Sequence, residues 1–142
     1  MIVVDASLAT KWLFLEEDSD RALSFLARNG HELHGPDLLL TEVAGAIIRR
    51  ANIDKDAERA RHAVAEWRRM WDDGHLTAHR PTTDRVQAAA ALALKLGHPL
   101  ADCMYLQLAI ELGCELATCD GKFAAKARRD DDRVRLLREY DL

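Results

Sequence analysis

Four acidic residues stand where acids are seldom found. Asp5 ends the apolar run in "IVVDAS", Glu42 sits among aliphatic residues in "LLLTEVAGAII", Asp102 opens the apolar stretch "HPLADCMYLQLA", and Asp120 follows "ELAT" in "ATCDGKF". Acidic side chains are almost never fully buried unless paired or bound to metal. Each acid has a local alternative. Asp5 and Asp120 can cap helices, Asp102 can complement a helix N-terminus, and Glu42 can pair with an arginine. Taken together the local alternatives are strained, because four apolar surroundings would each need an unrelated reason for their acid. Oxygen-only donors suit Mg²⁺ or Mn²⁺. Zinc favours His and Cys, and no histidine here has a ligand-like spacing to another.

The elements that must position these acids follow from periodicity. "IVV" is apolar at every position, the pattern of a strand buried on both faces of a parallel sheet, and Asp5 leaves that strand at its carboxyl end. The further predicted strands are Glu32–His34, His75–His79, Glu115–Thr118 and Val134–Leu137. Between them lie predicted helices over Leu8–Leu15, from Asp18 or Ser19 to Arg28, over Leu38–Ala51, Asp54–Asp73, from Thr82 or Thr83 to Leu96, over Leu100–Leu112 and over Lys122–Arg129. Gly35-Pro36-Asp37 reads as a turn. Strands separated by helices imply a parallel sheet, so the expected architecture is one three-layer α/β/α domain over residues 1–142. In such folds ligands bind at the carboxyl ends of strands, which is where Asp5 and Asp120 fall.

Composition sets the outer limits. With 49% hydrophobic and 31% charged residues among 142, the chain can bury a core without staples and is far from disorder. Its longest uncharged runs, such as Val86–Leu94, are too short to span a bilayer. The N-terminus lacks a basic segment before its apolar run, so a cytoplasmic address is expected. Cys103, Cys114 and Cys119 are odd in number, which fits reduced thiols packed as small core residues. The net charge of −4 is unusual for a nucleic-acid binder, but two divalent ions at an acidic site would cancel it. The runs Glu16-Glu17-Asp18 and Asp130-Asp131-Asp132 have polar neighbours and read as solvated.

The order "VVDAS", "LLLTEVAGAI", "HPLADCMYLQLA", "ATCDGKF" resembles the PIN-domain family over essentially the full length, most closely its short VapC-type toxins. The resemblance implies a metal-dependent endoribonuclease with Asp5, Glu42, Asp102 and Asp120 as its acidic quartet, holding Mg²⁺ or Mn²⁺. It implies Ser7 and Thr118 as hydroxyls beside the metal site. It also implies an RNA substrate, a cognate antitoxin and a homodimer. The chemistry is coherent, because divalent ions at a phosphodiester activate water and neutralise developing charge. Lys11, Arg49, Lys122 and Lys126 are the basic residues nearest the motifs and the expected phosphate contacts. Histidines such as His31, His34 and His98 read as loop residues. Trp67 and Trp71 lie in a stripe at helical spacing and read first as packing; with Trp12 they are also candidate anchors for the antitoxin. Two rival classes remain. A Mg²⁺-dependent phosphatase or receiver-like domain also uses acids at strand ends, but Ser7 stands where the phosphatase needs a second Asp, and no Lys follows the final strand. The other rival is a non-catalytic module on the same fold, against which stands the retention of all four acids.

Overall fold

Val3 and Val4 are completely buried, so the first strand is covered on both faces, as its unbroken apolar pattern requires. The computed structural model describes residues 1–142. Strand β1 (Ile2–Val4) is the centre of a five-stranded sheet of order β3-β2-β1-β4-β5, with β2 at Leu33–Pro36, β3 at Leu76–His79, β4 at Glu115–Thr118 and β5 at Val134–Leu136. Every pairing is parallel. The helices α1 (Ala6–Ala9), α2 (Ser19–Asn29), α3 (Leu38–Asp54), α4 (Ala57–Asp72), α5 (Thr83–Leu96), α6 (Leu100–Leu112) and α7 (Gly121–Ala127) flank the sheet, which bears out the predicted α/β/α class.

The chain builds the sheet outward from β1 to β3, then crosses back to place β4 on the other side of β1. The strand order therefore reverses between β1 and β4, and in open parallel sheets the crevice at such a reversal is where ligands bind. Helix α6 packs against β1, β2 and β4 and is the most buried helix, with Cys103, Met104, Tyr105, Leu106, Leu108 and Ala109 all inside. Truncating a buried leucine there, such as Leu108→Ala, costs about 2–5 kcal/mol.

Several local expectations are corrected. Gly35 and Pro36 do not turn but continue β2, pairing with Ala78 and His79. Pairing of β2 with β1 stops at His34, so Pro36, which has no N–H, lies beyond the doubly paired part of the strand. Gly35 gives room to the start of α3, since a Cβ there would come within 2.8 Å of Leu39 Cδ2 and force that buried side chain to shift. The first helix is shorter than predicted. After Ala9 the chain tightens into a 3₁₀ turn over Thr10–Trp12, which swings the Trp12 indole inward to donate to Ala22 O at 2.9 Å. Helices α3 and α4 are divided at Lys55, which takes a left-handed conformation, and Asp56 rather than Asp54 caps α4.

Trp12 and Trp67 are core residues, not surface anchors. Both are buried, and the Trp67 indole donates to Leu40 O at 3.1 Å. Trp71 is only half-buried, edge-on to Trp67.

Candidate functional site

Asp5 and Thr118 end the two strands that flank the switch point, and their side chains are tied together. Asp5 caps α1, its Oδ1 accepting from Leu8 N at 3.1 Å and from the Ser7 hydroxyl at 2.7 Å. Its Oδ2 accepts from the Thr118 hydroxyl. The Ser7 and Thr118 hydroxyls lie 3.2 Å apart and accept the backbone N–H groups of Cys119 and Asp120, each at 2.9 Å. The two hydroxyls thus couple β1 to the loop after β4. Ser7 is fully used in this network, which leaves nothing at its position to act as a phosphatase's second acid. Asp5 is only 5% exposed. Burial, the largest effect, pushes its carboxyl up to about 6 against the pull of its three donors, and the Asp102 charge adds to the rise.

The other three acids arrive from three further elements. Asp120 caps α7, with Oδ1 accepting from Phe123 N at 3.0 Å. Asp102, in the first turn of α6, accepts on Oδ2 from His98 Nε2 at 2.5 Å. Glu42, on α3, accepts on Oε1 from the Tyr105 hydroxyl at 2.5 Å and pairs with no arginine. Tyr105 lies one turn after Asp102. Its ionisation is pushed far above the ordinary phenol range, first by burial and the Glu42 hydrogen bond, with the charges of Glu42, Asp5 and Asp102 adding. Of these three acids, Glu42 is the one hydrogen-bonded to the phenol. Asp102 and Asp120 approach each other directly: ligand atoms of His98, Asp102 and Asp120 all lie within 4.8 Å of one another. The local capping alternatives for Asp5 and Asp120 are real, yet capping occupies only one oxygen of Asp120. Glu42, Asp102 and Asp120 each commit one oxygen to a donor, and the other has no hydrogen-bond partner.

His98 and Tyr105 are the residues that sequence reasoning missed. His98 lies in the loop before α6, as its sequence context indicates, but four positions before Asp102, and Tyr105 lies three after. This 3–4 residue spacing was the available signal. The polar neighbours of Glu16 predict a solvated side chain. It is instead half-buried and bonded to Arg50 at 2.5 Å, and with Ser7, Thr10, Glu42 and Arg49 it lines a cavity of about 270 Å³.

The four basic candidates separate. Arg49 lines that cavity, and Lys122 is exposed at the start of α7. Lys11 is engaged by Glu17 O at 2.9 Å and by Glu16 at 3.6 Å. Lys126 donates to Gly97 O at 3.0 Å and lies 3.4 Å from His98 Nδ1. Cys119 stands between Thr118 and Asp120 in the chain, but burial, then the Asp5 charge, push its thiol up to about 12, so it is not a nucleophile at neutral pH.

An all-parallel sheet with acids converging at its switch point has a counterpart among known families. The chain belongs to the PIN domain family, whose model matches residues 2–129. No curated protein matches it by sequence. Among solved structures it is similar to VapC20 of Mycobacterium tuberculosis, a sarcin–ricin-loop-cleaving toxin, with a TM-score of 0.74 and 15% identity, over 89% of this chain and 95% of that one. It is also similar to PAE2754 from Pyrobaculum aerophilum, with a TM-score of 0.65 and 17% identity, over 96% of this chain and 89% of that one. At these identities the likeness establishes the fold, and it includes a VapC structure as the motifs implied.

Proposed function

We propose that this chain is a metal-dependent endoribonuclease and the toxin of a toxin–antitoxin pair, with Asp5, Glu42, Asp102 and Asp120 as its metal-holding quartet. The observation that carries the reading is that Asp102 and Asp120, from two different elements, bring ligand atoms within 4.8 Å of each other, each with one oxygen free of hydrogen bonds, while Asp5 leaves the neighbouring central strand and Glu42 is tied to the Asp102 helix through Tyr105. Membership of the PIN domain family and the fold likeness to VapC20, itself a toxin that cleaves the sarcin–ricin loop, support it.

The donor set fits a hard divalent cation. The carboxylates supply oxygen ligands, and the one neighbouring nitrogen, His98 Nε2, is turned onto Asp102, so Mg²⁺ or Mn²⁺ is favoured over zinc. When bound, such an ion neutralises charge on a phosphodiester and lowers the pKa of water beside it. The chain's own part is to hold the acids at the carboxyl edge of the sheet, Asp5 buried and the other three partly exposed. Ser7 and Thr118 fix Asp5, His98 fixes Asp102, Tyr105 fixes Glu42, and the Phe123 N–H fixes Asp120. Arg49, beside Glu42 in the cavity, is suited to an RNA phosphate, and Lys122 to one further out. The same reading carries a single domain acting in the cytoplasm as a homodimer, neutralised by an antitoxin. No helix is long and apolar enough to cross a membrane.

Purified protein incubated with RNA should cleave it with Mg²⁺ or Mn²⁺ present, leave 5′-phosphate ends, and lose activity in EDTA. Cleavage that persists in EDTA, or cyclic phosphate ends, would overturn the metal mechanism. The toxin assignment is separate: the product of the neighbouring gene should bind this protein and suppress cleavage, and binding without suppression would sink that part alone.

A further inference from the structure

His98 leaves α5 immediately after Gly97, whose left-handed conformation closes that helix, and its backbone N–H donates to Ala93 O at 3.1 Å. The residue is held before its side chain makes any contact. Its ring packs on Phe123, with centroids 4.8 Å apart and planes 33° from parallel. Nε2 reaches Asp102 Oδ2 at 2.5 Å, and Nδ1 lies 3.4 Å from the Lys126 ammonium, which also donates to Gly97 O. The His98 side chain is 10% exposed and that of Asp102 32%, so the histidine is enclosed while the carboxylate still reaches solvent.

The partners decide which nitrogen carries the proton. With Nδ1 accepting from Lys126, whose ammonium has only donors, the ring proton is assigned to Nε2, facing Asp102. A protonated Nε2 cannot ligate a cation, but it can hold a carboxylate that does. Oδ2 of Asp102 is taken by this bond, which leaves Oδ1 without a partner. Phe123 then has two roles. Its ring supports His98, while its N–H holds Asp120, so the spacing of Asp102 and Asp120 is set through one residue of α7.

We propose that His98 is a positioning residue that aims Asp102 at the divalent cation shared with Asp120, its tautomer held by Lys126 and its ring by Phe123. This deepens the metal-dependent reading above and rests on it. Partners that orient metal-ligating side chains typically change metal affinity by about 10–100-fold when removed.

The test measures Mn²⁺ binding by calorimetry without RNA, for wild type, His98→Phe and His98→Gln, with melting in EDTA to establish that each variant is folded. Phenylalanine keeps the ring packing and removes the donor, so folded His98→Phe should bind Mn²⁺ about tenfold more weakly or worse. Glutamine keeps a side-chain N–H for Asp102 and should recover most of that loss. A folded His98→Phe that binds like wild type overturns the proposal, as does a folded His98→Gln that binds no better than His98→Phe. If the phenylalanine variant does not fold, the glutamine variant decides alone: near-wild-type binding supports the proposal and clear loss overturns it. Electron spin-echo spectra of the wild-type Mn²⁺ complex add a direct check, because coupling to a ligated imidazole nitrogen would make His98 a ligand and refute the positioning role. Wild-type protein that binds no Mn²⁺ overturns the metal reading itself, and this inference with it.

Discussion

The Tyr105 hydroxyl donates to Glu42 Oε1 at 2.5 Å, joining two residues 63 positions apart in the chain. Tyr105 is 1% exposed, and burial with the neighbouring negative charge keeps its phenol protonated at any working pH. It is therefore a permanent donor, holding an acid from α3 against α6.

Tyr105→Phe should separate this orienting role from simple packing. Loss of one hydrogen bond to a carboxylate that water can still reach should cost about 1 kcal/mol of stability. Cleavage at saturating Mn²⁺ should fall roughly tenfold, as expected when a supporting contact to a ligand is removed. A variant with lower stability but unchanged turnover would limit Tyr105 to the core.

Asp5 carries a pH signature in the metal-free protein. Its folded pKa is raised from 3.8 to about 6, so its contribution to stability is full below about pH 4 and is lost as pH rises through 6. At about 1.4 kcal/mol per unit the loss is about 3 kcal/mol by neutral pH. Asp5→Asn cannot titrate, and Ser7 and Thr118 can reorient their hydroxyl hydrogens to meet its amide. In EDTA, wild type should lose stability relative to Asp5→Asn between pH 4 and 7, as read by urea denaturation. A pH-independent difference would refute this. The variant should also cleave no RNA and lose the stabilisation that Mn²⁺ gives to wild type.

The basic residues should differ in how they respond to salt. Arg49 lines the cavity beside Glu42, so Arg49→Gln should weaken RNA binding in EDTA and reduce the slope of log K against log salt by about 0.7 for a single-stranded substrate. Lys11 is already engaged by Glu17 O and Glu16, and Lys11→Gln should leave the slope nearly unchanged. Fluorescence anisotropy over a salt series checks both, and equal slope changes would contradict this division.

Cys119 should be inert despite lying next to Asp120. With its thiol pushed up to about 12, only about one molecule in 10⁴ carries a thiolate at pH 8. A disulfide reagent should modify Cys119 far more slowly in the native protein than after unfolding, and Cys119→Ser should retain cleavage. Rapid native labelling at this position would show that its environment is more polar than the packing indicates.

Local sequence was sufficient for the elements and for the addresses of the acids. The unbroken apolar run "IVV" and the apolar centre of "ELAT" read as strands buried on two faces, which places Asp5 and Asp120 near the carboxyl edge of a parallel sheet. An acid within an otherwise apolar helix, as at Glu42 and Asp102, is visible for the same reason. Local pattern could not supply the pairings. Strand order is a tertiary choice, and only the placement of β4 beside β1 brings Thr118 to Asp5 and Ser7 across more than a hundred residues. Gly35-Pro36 has the chemistry of a turn, but packing under Leu39 and pairing with β3 extend it into a strand. Trp12 and Glu16 behave likewise: a tight 3₁₀ turn sends the indole into the core, and Arg50 from α3 draws the carboxylate toward the crevice. The donors that aim the acids, Tyr105 toward Glu42 and His98 toward Asp102, lie on or just before the same helix as one of their targets. Their function appears only when α3 and α7 are packed against them, because a hydrogen bond depends on distance and direction in space, which residue type and spacing along one element do not determine.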